Sequence, residues 1–264
     1  MSFQPQSRLL HSCYFEQSRS GEQFIPEHFF GYMISGTMEV HDGNQLHIFK
    51  EGDFRLLTRN HLAKFAKIPA DGGVFKSASV MLDQETLRNF SMEYGYVAEK
   101  NVPHESVIRL SNNILYKNYA DSIASYQDLN DAENKDIITL KVKELLLLLM
   151  KINPELKDVL FDFNEPGKVD LEAFMNQNFH FNVEMKRFAY LTGRSLATFK
   201  RDFEKIFSTS PNRWLQQRRL KEAYFLIKER GRRPSDVYLE VGFENLSHFS
   251  YSFKQAFGIS PSFV

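Results

Sequence analysis

The sequence predicts an α+β protein with two domains: a strand-rich N-terminal domain that continues into helices, and an all-helical C-terminal domain. Its 264 residues suit one large or two ordinary domains at about 150 residues each. Short strand-like runs separated by turn residues occupy His11 to Met81, and a repeated unit with helical spacing occupies the C-terminal third. We predict a first domain at 1–152 (strands over about 8–82, helices over about 83–152), a linker at 153–167 and a second domain at 168–264.

The composition indicates a folded chain in a reducing compartment. Hydrophobic residues make up 42% and charged residues 25%, and Cys13 is the single cysteine, so no disulfide can form within the chain. The longest aliphatic run, Leu145–Met150, is far shorter than the roughly 20 apolar residues of a membrane span. The first 21 residues lack the apolar core of a signal peptide. We therefore expect a soluble cytoplasmic protein with no membrane association.

The N-terminal strands are short and regularly interrupted. Asp42-Gly43 and Asp71-Gly72-Gly73 are hairpin or loop sequences, and Gly52-Asp53 ends another run. Many short strands at this spacing favour a jelly roll or small barrel. The predicted strands are Phe29–Ser35, Thr37–Val40, Leu46–Phe49, Phe54–Leu57 and Val74–Met81.

Two or three helices are predicted after the strands, two of them over 110–126 and 131–152. The second contains a block of consecutive Leu and Met residues at 145–150, which is apolar on every side and so must bury more than one face. One face would pack on the strands, and the other would contact a second copy of the chain. A fully intramolecular core is the alternative. The residues predicted to form the homodimer contact are Val142, Leu145, Leu148 and Leu149.

The C-terminal third contains an internal repeat. Six residues recur 50 positions later: Leu196, Phe199, Phe203, Phe207, Ser210 and Pro211 reappear as Leu246, Phe249, Phe253, Phe257, Ser260 and Pro261. The phenylalanines lie four residues apart, which places them on one face of a helix. A structural unit is therefore used twice.

Each copy has the outline of a helix-turn-helix. Gly193 and Gly242 end the preceding short helix, where glycine most easily supplies a positive φ. Ser195 and Asn245 then occupy the N-cap position of the next helix. A long helix from Pro211 to about Arg230 would join the two copies and fix their separation.

The zero net charge conceals an uneven distribution. Residues 168–264 contain 16 Lys and Arg against 10 Asp and Glu, while residues 1–167 contain 17 against 23. This difference favours two domains with different partners. The partner of the second, positively charged domain would be negatively charged.

A set of residues at fixed spacing extends the repeat into a longer pattern: Arg219-Leu220, Ala223, Leu226-Ile227, Val241-Gly242-Phe243, Ser247, Phe249, Phe253-Lys254, Phe257-Gly258 and Ser260-Pro261. This pattern resembles the AraC/XylS family of transcription regulators over roughly residues 168–264. The resemblance implies seven helices, two helix-turn-helix units and a rigid linking helix, with both recognition helices entering successive major grooves of double-stranded DNA. It also implies a transcription activator that works with RNA polymerase.

The N-terminal strings Gly31–Val40 and Glu51–Phe54 are similar to the cupin-like sensor domains attached to this family. This similarity implies a domain that senses a small molecule or a protein. The sequence does not identify the effector.

The residues predicted to contact DNA lie on the recognition helices, away from the phenylalanine face. The second set lacks Arg and Lys, so we expect it to specify bases weakly. A solvated helix face explains the arginines of the linking helix as well as phosphate contacts do. The predicted base-reading residues are Ala197, Thr198, Lys200, Arg201, Leu246, Ser247, His248, Ser250 and Tyr251, and the predicted phosphate contacts are Ser195, Asn245, Lys254, Arg213, Arg218 and Arg219.

An alternative interpretation is a cupin-type metal-binding protein or enzyme whose helical C-terminus serves as an oligomerisation module. Its candidate ligands, His28, His41, His47 and His61, contain no His-x-His pair. No nucleophile–base pattern, phosphate-binding glycine loop or paired-carboxylate motif is present. We therefore predict no catalytic residues, no cofactor and no metal site.

Overall fold

The computed structural model describes residues 8–18, 23–100, 105–124, 126 and 134–264. The chain divides into two compact units, the first ending at Asn164 and the second comprising Glu165–Val264. No helix within the described ranges is long and apolar enough to cross a membrane.

The described part of the N-terminal unit contains ten strands in three antiparallel sheets. The largest sheet has the order β1-β9-β3-β6-β10, a second has the order β5-β4-β8, and β2 pairs with β7. The strands are β1 Leu9–Tyr14, β2 Phe24–Ile25, β3 His28–Ser35, β4 Thr37–His41, β5 Leu46–Lys50, β6 Phe54–Leu57, β7 His61–Leu62, β8 Lys64–Ile68, β9 Phe75–Leu82 and β10 Val107–Leu110.

The expectation of a closed barrel is not met among the described residues, because the five-stranded and three-stranded sheets share no ladder of hydrogen bonds. Strand β6, which lies between β3 and β10, is instead buried on both faces. Phe54 and Leu56 belong to a core shared with the helices, whereas Leu57 belongs to a second core with Met38 and Phe49 from the three-stranded sheet. Alternating residues of one strand thus serve two cores.

Helices cover one face of the larger sheet. Asp83 caps α1 (Gln84–Tyr94) by accepting a hydrogen bond from the Thr86 amide at 2.9 Å. The other two are α2 (Ile114–Ala124) and α3 (Lys135–Ile152). The predicted helix at 110–126 therefore begins later, because Leu110 ends β10. Of the helix predicted at 131–152, residues 131–133 lie outside the described ranges.

The face of α3 that we predicted to contact a second subunit lies in the core. Val142, Leu145 and Leu149 are 0% exposed, and Leu148 is half-buried against the same cluster. The assignment of Val142, Leu145 and Leu149 to a dimer contact was therefore wrong, because the core of the same chain already buries them. The assignment of Leu148 stays a prediction. The exposed apolar residues of α3 are Ile137, Leu140 and Leu147.

The predicted linker at 153–167 is also wrong over most of its length. A 3-10 turn at Pro154–Leu156 leads into α4 (Lys157–Leu160), and Phe161 packs into the helical core. Arg59 Nη2 then donates hydrogen bonds to the carbonyl oxygens of Asp162 (3.0 Å) and Asn164 (2.7 Å). The predicted linker therefore belongs to the N-terminal unit as far as Asn164, the last residue of that unit.

The C-terminal unit, all of which the structure describes, contains six α-helices and a terminal 3-10 turn at Pro261–Phe263. The seventh helix implied by the family resemblance corresponds at most to this turn. The helices are α5 Leu171–Asn178, α6 Met185–Leu191, α7 Leu196–Phe207, α8 Pro211–Lys228, α9 Pro234–Glu240 and α10 Leu246–Phe257.

Both turns of the repeat have the predicted backbone. Gly193 and Gly242 have φ values of 64° and 99°. A Cβ atom at Gly193 would lie 2.5 Å from the Gly167 carbonyl oxygen, and one at Gly242 would lie 2.6 Å from the His180 carbonyl oxygen. Glycine is thus required at both turns for conformation and for space.

Candidate nucleic-acid interface

The two predicted recognition helices, α7 and α10, both pack on the linking helix α8. In the first copy the rings of Phe203 and Phe207 contact Trp214, with centroids 5.6 and 4.7 Å apart. In the second copy Tyr224, ten residues further along α8, makes the equivalent contacts with the α10 phenylalanines at 6.1 and 4.7 Å. The phenylalanine faces are core, as predicted, and the opposite faces are left at the surface.

Both recognition helices begin at the predicted N-caps. Ser195 Oγ accepts a hydrogen bond from the Thr198 amide at 3.2 Å. Asn245 Oδ1 accepts from the Ser247 and His248 amides at 2.8 and 3.1 Å. These side-chain acceptors are therefore used to start the helices.

The first half of the first recognition helix presents two cations. Lys200 and Arg201 are exposed on α7, as is Ala197, whereas Thr198 is half-buried and accepts a hydrogen bond from the Ser195 hydroxyl at 3.0 Å. Two long basic side chains beside a small apolar one can bind guanine edges, phosphates and thymine methyl groups.

The second recognition helix presents a surface of different chemistry. Tyr251 is 67% exposed, Leu246 and Ser247 are also at the surface, and Ser250 is half-buried. The structure describes the whole of α10, and Lys254, in the last turn, is the one exposed cation on it. Neutral polar and apolar groups therefore dominate this face.

His248 is exposed at the edge of the surface that α10 presents, and it also contacts the residues behind that surface. Its ring is 5.7 Å from that of Phe243, and its Nε2 lies 3.5 Å from the Ser252 hydroxyl. An open cleft of about 580 Å³ lies beside it, bounded by the start of α6, the first half of α8 and the start of α10. Glu184, Asn212, Gln216 and Asn245 are among its lining residues.

Arg219 does not belong to this surface, and its assignment as a phosphate contact was wrong. Its guanidinium donates to three carbonyl oxygens: Phe179 at 2.8 Å, Phe181 at 2.7 Å and Gly242 at 3.0 Å. Burial lowers its pKa to about 10. The sequence indicated this position, because Arg219 lies four residues from both Leu215 and Ala223 on the buried stripe of α8.

The other two arginines of α8 differ in their availability. Arg213 is exposed in the first turn. Arg218 is half-buried, pairs with Glu222 at 3.0 Å and stacks over the Phe179 ring at 4.3 Å. Arg213 is thus better placed for a phosphate than Arg218.

Sequence reasoning missed a pair of ionic contacts behind the first recognition helix. Asp202 Oδ2 accepts a hydrogen bond from Arg194 Nε at 3.2 Å, and Asp202 Oδ1 lies 3.5 Å from Arg201 Nε. Asp202 lies three residues after Phe199, between the buried and exposed faces of α7, so helical periodicity did not assign it to either.

The histidines considered as metal ligands have other surroundings. His47 Nε2 lies 3.0 Å from Asp42 Oδ2, which also accepts from the Ser106 hydroxyl at 2.7 Å. Burial by itself would raise the pKa of Asp42, but hydrogen bonds from the Gln45 amide and from these two side chains hold it well below its usual range. No group of three or more His, Cys, Asp or Glu residues in the described ranges is arranged to hold a metal.

Two helix-turn-helix units on a shared helix, following a sheet domain, define a double helix-turn-helix protein. Two family models match the chain: the ExsA N-terminal regulatory domain over residues 28–159 and a helix-turn-helix domain over residues 188–264. The chain belongs to the AraC family of transcription regulators, with an N-terminal domain of the ExsA regulatory type. The family is one of regulators and not of enzymes.

Relatives with established names match part of the chain. The HTH-type transcriptional regulator ExsA of Pseudomonas aeruginosa is 30% identical over 125 residues, which is 47% of this chain and 45% of ExsA. The virulence regulon transcriptional activator VirF of Yersinia enterocolitica is 30% identical over 125 residues, 47% of this chain and 46% of VirF. The match thus spans less than half the length of these relatives.

Among solved structures, an apo form of ToxT, a single-residue variant from Vibrio cholerae strain SCE256, aligns with 97% of this chain and 96% of its own at 12% identity, with a TM-score of 0.49. Similarity at this level supports no functional conclusion.

Proposed function

We propose that this protein is a sequence-specific DNA-binding transcription regulator that acts as an activator. The observation that carries the proposal is that two recognition helices with exposed polar and basic faces pack on one linking helix. Lys200 and Arg201 would supply most of the base reading, and Tyr251, Ser247 and Leu246 would supply shape and methyl contacts. The similarity to VirF, which is named a transcriptional activator, supports the direction of regulation. RNA polymerase would be the partner that membership of the family implies.

Phosphate contacts would come from exposed groups at the rim of this surface. Arg213 and Lys254 are exposed cations on α8 and α10, and the N-terminal amides of the recognition helices add partial positive charge. Because Arg219 is bound to backbone carbonyl groups, one cation fewer contributes to the electrostatic part of DNA binding than the sequence suggested.

A duplex titration at increasing salt tests the proposal. The logarithm of the affinity should fall linearly with the logarithm of the salt concentration, and Lys200→Ala should reduce the slope by about 1 if that side chain meets a phosphate. Lys76→Ala, at an exposed position in the N-terminal domain, is the matched control and should leave the slope unchanged. Salt-independent or absent duplex binding by the folded protein would refute the proposal.

Regulation would reside in the N-terminal domain, which matches the regulatory domain of ExsA. We propose that it senses a small molecule or a protein and mediates homodimerisation. The exposed stripe of α3, formed by Ile137, Leu140 and Leu147, is the surface that supports a contact with a second copy. Val142, Leu145 and Leu149, which the sequence predicted for that contact, are buried in the core. A metal-enzyme function finds no supporting group among the described residues.

A further inference from the structure

Asp202 occupies a place between two arginines of the first helix-turn-helix unit. One carboxylate oxygen lies 3.2 Å from Arg194 Nε, and the other lies 3.5 Å from Arg201 Nε. The two oxygens are thus divided between an arginine of the turn and an arginine of the recognition helix.

The two arginines differ in exposure and in contacts. The Arg194 side chain is 11% exposed, and its Nη1 donates to the carbonyl oxygens of Val169 at 3.1 Å and Thr192 at 2.7 Å. These backbone contacts hold Arg194, which in turn holds Asp202. The Arg201 side chain is 65% exposed and forms its ion pair with the Asp202 carboxylate.

The geometry has a consequence for base reading. A guanidinium whose Nε faces a carboxylate keeps its terminal nitrogens for other acceptors, and two parallel N–H groups are what a guanine edge binds through O6 and N7. We propose that Asp202 is a positioning residue that orients Arg201 for bidentate recognition of guanine. This inference rests on the proposed DNA-binding function. Arg194 also keeps the pKa of the Asp202 carboxyl low, so the anchor is ionised at neutral pH.

Asp202 is expected to weaken non-specific DNA binding and to strengthen base discrimination. Because these two effects have opposite signs, they distinguish a positioning role of Asp202 from a purely structural one. Its negative charge repels phosphates and so weakens binding to any duplex. Its hold on Arg201 strengthens discrimination at one base pair. Asp202→Asn removes the charge but keeps an acceptor oxygen for Arg194, so it should raise non-specific affinity while it lowers specificity. A variant that only damaged the fold would lower both.

The experiment uses the full chain and a duplex selected by it from a random pool, together with versions in which each G·C pair is replaced in turn by A·T. Arg201→Ala identifies the position at which discrimination is lost. We expect Asp202→Asn to reduce discrimination at that position about fivefold, with unchanged or higher affinity for an unrelated duplex. In an Arg201→Ala background, Asp202→Asn should leave discrimination unchanged.

Full discrimination by Asp202→Asn at the position that Arg201→Ala abolishes would overturn the inference and leave the proposed function standing. Failure of the wild-type protein to select any duplex would overturn both. If Asp202→Asn does not fold, Arg194→Lys carries the test, because it loosens the anchored carboxylate without changing Asp202 or Arg201. Undiminished discrimination by that variant would also overturn the inference.

Discussion

Arg219 joins three segments of the C-terminal domain through one side chain. Its acceptors belong to the loop after α5 and to the turn of the second helix-turn-helix unit, while its own backbone belongs to α8. A guanidinium is suited to this task because its rigid fork carries five donors. The positive charge costs desolvation free energy, which the three charge-assisted hydrogen bonds offset.

We expect Arg219→Met to lower the free energy of unfolding of the C-terminal domain by about 2–4 kcal/mol, because it retains apolar bulk but leaves three carbonyl groups without their donor. Urea denaturation measures this. Arg213→Ala, at an exposed position of the same helix, should change stability by less than about 0.5 kcal/mol and instead reduce the salt slope of DNA binding. Equal stability of wild type and Arg219→Met would contradict the structural role.

Glu27 is a second residue whose surroundings change its chemistry. Burial, with a smaller contribution from the neighbouring Asp83 carboxylate, raises its pKa from 4.5 to about 7, against the opposing effect of Arg59. Arg59 also holds the carbonyl groups of Asp162 and Asn164. The charge on Glu27 therefore changes, near neutral pH, beside the residue that anchors the end of the N-terminal unit.

The pH dependence has a definite sign. The folded protein keeps the Glu27 proton up to about pH 7, whereas the unfolded chain releases it near pH 4.5, so this residue's contribution to stability falls as the pH rises from 4.5 to 7. Glu27→Gln lacks this loss. Thermal unfolding at several pH values should therefore show the variant gaining stability relative to wild type between pH 5 and pH 7. A stability of Glu27→Gln relative to wild type that stays constant or falls over this range would contradict the pKa shift.

At the scale of elements, α3 separates core from surface within one apolar sequence. Val142, Leu145 and Leu149 point inward and are fully buried, while Leu140 on the opposite side is 66% exposed. An all-apolar block predicts that more than one face is covered, but not which face the same chain covers. The sheet and α2 provide that answer.

This arrangement predicts opposite outcomes for two leucines. Leu140→Glu should shift the proposed dimer to monomer in light scattering while leaving the unfolding free energy within about 0.5 kcal/mol of wild type, because the side chain is at the surface. Leu149→Ala should cost about 3 kcal/mol of stability through the cavity it leaves. A wild-type protein that is monomeric at micromolar concentration, or a Leu140→Glu variant that still dimerises, would argue against a contact through this stripe.

Two further elements depend on distant partners. The four-residue strand β10 forms by pairing with β6, residue Val107 opposite Leu57 and Leu110 opposite Phe54. Its sequence is too short to show periodicity, and the predicted start of a helix at Leu110 was wrong for that reason. The residues after Asn153, predicted as linker from Pro154 and the Asn-Glu-Pro-Gly cluster, contain Leu156 and Phe161, which complete the helical core.

At the scale of the whole molecule, the linking helix limits the distance between reading surfaces. Its two aromatic contacts, Trp214 with α7 and Tyr224 with α10, lie ten residues apart, which is about 15 Å along the helix axis. One turn of DNA is about 34 Å long. We expect helices joined through contacts this close to occupy adjacent major grooves and not sites two turns apart.

Operator spacing tests this geometry. We expect insertion of about 5 base pairs between the two half-sites to abolish high-affinity binding, because the second half-site then lies on the opposite face of the duplex. Insertion of about 10 base pairs restores the face but adds a full turn, so affinity should remain low. Recovery of affinity with the longer insertion would indicate that the two units are not rigidly joined by α8.

The repeat, its glycine turns, its N-caps and its buried phenylalanine faces were predicted from the sequence and are confirmed. Phe199 and Phe249 are fully buried, Gly193 and Gly242 have positive φ, and Ser195 and Asn245 cap their helices. These features depend on contacts and conformations within a few residues, or on a spacing that repeats, so the sequence displays them directly.

The sequence by itself determined the double helix-turn-helix unit, the surfaces of its two recognition helices and the presence of a strand-rich domain before it. Only the tertiary structure decided which three carbonyl groups Arg219 binds, that Asp202 joins Arg194 to Arg201 and that α3 turns Leu149 inward and Leu140 outward. Local conformation follows from neighbouring residues, whereas the environment of a long side chain depends on segments distant in sequence that fold against it.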